Sequence, residues 1–537
     1  MKQRLASSLA WLERLASRRL GAVVLFGAGL AVYAVRAIAW PLRSGRDLDE
    51  YLLGYVQLFD RHVLLPWSLL FRTPLTPLVA GASLDFAGGV FAEPFTAVLF
   101  AASVVAWSVA AYAFGPRVAL AVAVVLLAYP GFGAMFHELS SETMFSAAFA
   151  GWALLVTRAA FRPSAGRFAL AGLGVAVLAL VRPGNAMLLA FGLFPLVLAA
   201  PWRDRLRWAA AFAVAAALPL LAWSVQNGVR YGDYTLARGG NAVIPFYRAF
   251  ITDHIISPEN GPASRRLATA MRQHLLTREP YKAYDVTLDQ LFTEGSFRVH
   301  EDLYLLSDQV FGWNDDYTVL REAGIEGVRA HPGTYASGVV GTIWSELNGP
   351  FFRVVATAPP ESPVEKQAAA GTVVIDGKRL PRPTEGQPIP GGQVVWISRP
   401  DQRIRQVWTS PTEWHFAFDR PSDKPRFEAI ERETGSLFNA LPHRAGNAQL
   451  GLRLNQLSRW FPRPWLWILL GLVSIAVRRP RGTATLVALA LSAFLVVVLN
   501  ALGLFADVHF ILPVAPAFVL LGLGGLLGRK TGLSAHA

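Results

Sequence analysis

The sequence predicts a polytopic α-helical membrane protein of about ten transmembrane helices with an α+β extracytoplasmic domain. Three observations carry that prediction. Hydrophobic residues make up 53% of the 537 positions, mean hydropathy is +0.36, and only 16% are charged, whereas soluble domains carry about 25%. Several windows of about twenty residues are almost free of charge, the length that crosses a hydrocarbon core. Basic residues, finally, cluster on alternate sides of those windows.

The N-terminus, "MKQRLASSLAWLERLASRRL", is basic and amphipathic and runs into an apolar stretch with no small-residue cleavage site, which predicts a retained cytoplasmic segment. Spans are expected near 20–39, 88–113, 118–131, 142–157, 168–181, 184–200, 208–225, 463–477, 483–503 and 509–528. With the N-terminus inside, the inner segments hold 17 Lys and Arg against two acids, Glu13 and Asp204, while the rest of the chain holds 33 bases and 35 acids. The net charge of +13 is therefore a positive-inside signal, and no basic face remains for nucleic acid. The expected location is the cytoplasmic (inner) membrane, multi-pass, with both termini cytoplasmic. The absence of cysteine excludes disulfides, thiol nucleophiles and Cys-ligated zinc.

Three divisions follow. Residues 1–225 form an N-terminal transmembrane module whose first outer loop spans 40–87; 226–462 form the extracytoplasmic segment; 463–537 hold the last transmembrane helices. In the first loop, "YLLGYVQLFDRHVLLPWSLLF" has apolar residues at helical spacing and predicts a helix lying in the membrane interface. Within the long segment, 245–345 is helical and amphipathic. From 371 to 418 the pattern alternates like strands, with "DG" at 376–377 as a hairpin turn.

Ionisable residues gather where the chain leaves the bilayer. "GRDLDEY" places Asp47, Asp49 and Glu50 beside Tyr51, and Arg72 follows in "RTPLTP". A carboxylate can take a proton from an attacking hydroxyl, and an arginine can hold a phosphate with a planar, permanently charged fork. The other reading of the acids is a solvated first helical turn. "FHELSSETMF" puts His137, Glu138 and Glu142 at the second outer turn, where "SSE" also reads as a helix cap. "LVRPGN" sets Arg182 outside, against the inner bias, so it needs a partner, either Glu142 or a phosphate. "QNGVRYGDYTLARGGN" adds Asn227, Arg238 and a glycine pair, and "FADVHF" adds Asp507 and His509.

Taken in order, "RDLDEY", "RTPLTPLVAG", "LSSETMF", "VRPGNAML", "WSVQNGVRYGDYTLARGGN" and "HFILPVAPAF" resemble the GT-C glycosyltransferases. Within these they are closest to bacterial relatives of the protein O-mannosyltransferases and of the lipid A aminoarabinose transferase. The resemblance covers the first 250 residues and the last 80; 255–460 matches no known pattern. It implies transfer of a sugar from a polyprenyl-phosphate donor to a lipid, glycan or protein acceptor at the outer face of the membrane. It implies Asp47 as base, four residues before Tyr51, and Glu142 as the second-loop acid. Donor phosphate would be held by Arg72, with Arg182 and Arg238, and substrate contacts would come from Asp49, Glu50, Tyr51, His137 and Asn227. No cofactor follows with certainty. Asp47-x-Asp49 is the pair that would hold a divalent metal, and its oxygen ligands suit Mg or Mn. Two other classes stay open: a transporter of a glycan or lipid, which would place ionisable residues near mid-bilayer, and a membrane-anchored assembly protein with a binding ectodomain.

Overall fold

A computed structural model describes residues 19–60, 63–278, 281–282, 284–295, 300–349, 372–375, 378–381, 404–408 and 414–530. The N-terminal helix α1 (Arg19–Ala37) leads to a two-residue strand, β1 (Arg43–Ser44). Three helices follow, α2 (Leu48–Gln57), α3 (Pro66–Leu70) and α4 (Leu75–Ala87). The bundle continues with α5 (Gly89–Tyr112), α6 (Pro116–Ala128) and α7 (Pro130–Met135), then strand β2 (Glu138–Leu139). After these come α8 (Ser141–Phe161), α9 (Ala165–Val181), a 3₁₀ run over Pro183–Val197, and α10 (Trp202–Tyr231).

Beyond α10 lie the short α11 (Gly239–Ala242), a π-type turn over Val243–Thr252, α12 (Pro262–Ala270), α13 (Leu288–Glu294), α14 (Leu305–Val310), α15 (Thr318–Ala330) and α16 (Pro332–Asn348). Two antiparallel hairpins come next, β3 (Thr372–Ile375) with β4 (Lys378–Pro381) and β5 (Ile404–Trp408) with β6 (Trp414–Phe418). Ile375 pairs with Lys378, the register that a two-residue turn gives. Asp376 and Gly377 themselves, like 382–403 and the N-terminal 1–18, lie outside the described residues. Helices α17 (Asp423–Asn439), α18 (Ala448–Arg459), α19 (Pro464–Arg478), α20 (Thr483–Gly503), α21 (Val508–Ile511) and α22 (Ala515–Leu527) complete the chain.

The fold is a mostly helical membrane protein. Among the described residues, six helical stretches are long and apolar enough to cross a bilayer: Leu20–Ala37, Gly89–Tyr112, Ser141–Phe161, Trp202–Tyr231, Ala448–Arg478 and Thr483–Gly503. The other expected spans coincide with shorter apolar helices, Pro116–Ala128, Ala165–Val181, Pro183–Val197 and Ala515–Leu527. At 1.5 Å per residue the thirteen residues of α22 reach about 20 Å, short of a hydrocarbon core near 30 Å. All ten expected spans thus fall on apolar helices, six of full length and four shorter. The apolar side chains of α1, α10 and α19 stay exposed (Val23, Val24, Leu218, Leu221, Leu472, Val473), as lipid-facing surfaces require. Large buried residues such as Phe100, Trp107, Phe149 and Trp152 pack the interior.

The expected interfacial helix over 51–71 is broken into α2 and α3, with α4 following. Pro66 opens α3 and Pro74 sits at the N-cap of α4, since proline has no N–H to continue a preceding helix. Nor does α2 lie open on an interface. Tyr51, Leu52 and Gln57 are buried, and α2 packs against α4 and α17.

Candidate active site

The first loop is held at the second by a parallel pairing of β1 with β2, Arg43 opposite Glu138 and Ser44 opposite Leu139. Gly45 makes the approach feasible. A Cβ there would lie 2.4 Å from Ser140 Cβ and 2.9 Å from the Leu139 carbonyl oxygen, closer than side-chain carbon can approach. Immediately after it, Asp47 takes a left-handed backbone conformation (φ 58°, ψ 22°) at the N-cap of α2. Aspartate and asparagine tolerate this region better than other non-glycine residues.

Asp47 makes no side-chain cap hydrogen bond. Its carboxylate lies 3.1 Å from Arg72 and 3.8 Å from Arg46 instead. Arg72 also donates through Nε to Glu50 at 3.1 Å, forms an ion pair with Glu50 through Nη2, donates through Nη1 to the Tyr51 hydroxyl at 3.3 Å, and lies over the Tyr51 ring at 4.8 Å. The Arg72 guanidinium thus ties down the acidic turn, and burial pushes the Tyr51 phenol above its ordinary range. Asp49, two positions on, is exposed, and burial with the neighbouring Glu50 raises its carboxyl somewhat.

Arg46, Asp47, Tyr51, Arg72 and Arg182 line one cavity of about 540 Å³. Phe510, Tyr247, Tyr304 and the small residues Gly239 and Gly240 also line it, with the apolar side chains of Met187, Val496 and Leu499. Arg182 sits at the C-cap of α9 and donates to Glu142 at 3.0 Å. Glu142 is 1% exposed, and Ser141 also donates to it at 3.2 Å. The helix cap falls to Ser140, whose hydroxyl accepts from the Thr143 N–H, so the Glu142 side chain is free to pair. Arg46 and Arg182 flank the Phe510 ring at 5.6 and 5.9 Å, a cation–π arrangement that holds two guanidinium groups on one ring. A second groove of about 570 Å³ is lined by Leu188, Phe191, Phe194, Val487, Leu491 and Leu495 among others. It runs between the Pro183–Val197 segment and α20; Leu188 follows Met187, and Leu495 precedes Val496.

Other expected residues are not brought here. Arg238 is buried away from the cavity: it donates to Asp233 at 3.2 Å and to the Trp313 carbonyl at 2.7 Å, pairs with Asp308, and lies 3.8 Å over the Trp313 ring. Only its neighbours Ala237, Gly239 and Gly240 reach the lining. Asn227 is buried and donates to the Thr235 carbonyl at 3.0 Å. His137 is stacked on Tyr33 at 4.0 Å, and burial, aided by nearby arginines, pushes its imidazole down to about 3. Glu50 faces Arg72 and is not part of the lining. Asp47 and Asp49 make a poor metal pair, because Asp47 already faces two guanidinium groups. No group of three or more metal-ligating side chains converges among the described residues.

Arg46 is the residue that sequence reading passed over, although it stands in "GRDLDEY" beside the acids. Tyr247 and Tyr304 also reach the cavity, from a region without a recognisable motif. No family model matches the chain, and no curated protein does. Among solved structures, ArnT from Cupriavidus metallidurans bound to undecaprenyl phosphate is similar in its overall course. The TM-score is 0.35 and the identity 13%, over 95% of this chain and 78% of that one. A likeness this loose says nothing about which residues act.

Proposed function

We propose that the protein is a membrane glycosyltransferase that moves a sugar from a polyprenyl-phosphate donor to an acceptor hydroxyl at the outer face of the membrane. The observation that carries this reading is a cavity whose lining brings together one carboxylate, three guanidinium groups and apolar side chains. Such a cavity suits an amphiphile with an anionic head, and the second groove of about 570 Å³ suits a long hydrocarbon tail.

The reaction is a single displacement. Asp47, which faces Arg72 at 3.1 Å and Arg46 at 3.8 Å, accepts the acceptor's hydroxyl proton while the oxygen attacks the anomeric carbon. The bond from that carbon to the phosphate oxygen breaks, the lipid phosphate leaves with the electron pair, and the anomeric centre inverts. Charge growing on the leaving phosphate is met by guanidinium groups already in place, which avoids reorganisation during the reaction. Arg182, with one terminal nitrogen on Glu142, and Arg46, with its closest carboxylate at 3.8 Å, have donors to give; Arg72 is more fully engaged and serves chiefly to aim Asp47.

The deciding experiment offers the purified protein in nanodiscs a panel of radiolabelled polyprenyl-phosphate sugars and follows release of free lipid phosphate. Consumption of one donor, lost in Asp47→Asn, supports the reading and names the sugar. Failure of wild type to bind any member of the panel would overturn it and favour a transporter or an assembly protein.

A further inference from the structure

Outside the cavity wall, His509 of α21 is 5% exposed and lies between carboxylates from two different loops. Its Nδ1 is 2.8 Å from Asp507 Oδ1, which also accepts the His509 backbone N–H at 3.0 Å. Its Nε2 is 3.6 Å from Glu138 Oε2. Glu138 belongs to β2 and is paired with Arg43 of β1, two residues before Gly45 and three before Arg46. The next residue, Phe510, is the ring that both Arg46 and Arg182 flank. His509 therefore stands where the last outer loop, the second and the first meet, directly behind the arginines of the cavity.

We propose that His509, as an imidazolium bridging Asp507 and Glu138, is a positioning residue that holds Phe510 and the Arg46–Arg182 pair in place for an anionic ligand. Each ring nitrogen faces a carboxylate, so both must carry a proton for the bridge to be complete. The charged groups facing it are Asp507 on its own loop, Glu138 on β2 with Arg43 behind it, and Glu142 at the start of α8. Arg46 acts on Asp507, and Glu346 of α16 lies beside Asp507. Burial alone would favour the neutral ring, but the hydrogen bond to Asp507, the nearby Glu138 carboxylate and the charge of Glu142 outweigh it and raise the imidazole to about 9. Loss of the proton leaves the carboxylates uncompensated beside the cavity. It weakens anion binding without removing any group that touches the ligand.

This inference rests on the proposed donor site only for its binding arm. The probe is undecaprenyl phosphate, titrated into nanodisc-embedded wild type and His509→Arg between pH 7 and 10.5, with thermal unfolding recorded on the same samples. In wild type the apparent Kd should rise about tenfold by pH 10, because the competent fraction falls by that factor one unit above the midpoint. The unfolding temperature should fall over the same interval: a histidine with a raised folded-state value stabilises fully below about 6.5 and loses that contribution as pH passes through about 9. His509→Arg, which keeps the charge, should flatten both profiles. Glu138→Gln should move the wild-type step to lower pH, and this decides the matter should the arginine variant not fold. Equal profiles in wild type and His509→Arg, or an unmoved step in Glu138→Gln, would overturn the inference. If wild type binds no undecaprenyl phosphate at pH 7, the donor reading fails, and the unfolding profiles still decide the role of His509.

Discussion

At the scale of single residues, the site is governed by which partner each charge finds. Asp47 sits where a helix cap belongs, yet its carboxylate serves two arginines; the left-handed turn aims it there. Asparagine tolerates the same turn and has the same shape, so Asp47→Asn removes the base with little structural cost. Turnover should fall by about 10²–10⁴-fold with donor affinity nearly kept, measured as single-turnover rate against equilibrium binding. Arg182→Gln acts differently. It leaves Glu142, almost fully buried, without its cation, and removal of one partner from a buried pair costs about 3–5 kcal/mol. A lower unfolding temperature, largely restored in the double variant Arg182→Gln/Glu142→Gln, is the expected outcome of that thermodynamic cycle. Both partners were legible as lone charges at outer turns, and a need for a partner could be read from Arg182. That Arg46 rather than Arg238 reaches the cavity could not be read: both stand beside a glycine, and only packing against Trp313 and Asp308 turns Arg238 away.

At the scale of elements, short contacts between distant segments build the site. The β1–β2 pairing is two residues long and depends on Gly45. Gly45→Val would drive a side chain into Ser140 and Leu139, separate the first loop from the second, and displace Asp47. Donor turnover should drop while helical content, followed by circular dichroism, stays at the wild-type level. Arg248 is a second such tie. It donates to Asp253 at 2.9 and 3.0 Å, to Thr342 of α16 at 2.9 Å, and to the Ala501 and Leu504 carbonyls at 2.8 and 2.9 Å. Arg248→Ala removes all of these from a buried place and leaves Asp253 unpaired, so a loss of about 3–5 kcal/mol is expected in denaturant unfolding. Neither tie has a periodic signature. The hydrophobic period announces helices, but contacts between residues 95 or 253 positions apart leave no local trace.

At the scale of the whole molecule, the arginine-lined cavity and the apolar groove are built on the same two segments. They share the Pro183–Val197 segment and α20 as walls. Ala488→Trp would fill the groove without touching the arginines. It should weaken binding of a long polyprenyl phosphate at least tenfold and leave a ten-carbon prenyl phosphate unchanged, as read by competition in nanodiscs. Equal effects on both chain lengths would show that the tail lies elsewhere.

What the sequence by itself determined was the class of the molecule and the gathering of charge where its apolar windows end. Apolar windows, alternating basic segments and acids at the bilayer exits depend on composition along the chain, and the solvent acts on each window independently. Tertiary structure decided which of the charges at those exits meet. The first-loop helix ends at Gln57 and folds inward, Glu142 finds Arg182, Arg46 enters the cavity, and His509 reaches Glu138. Those pairings follow from the way helices of unequal length pack at one end of the bundle, where each buried charge is stable only beside an opposite one.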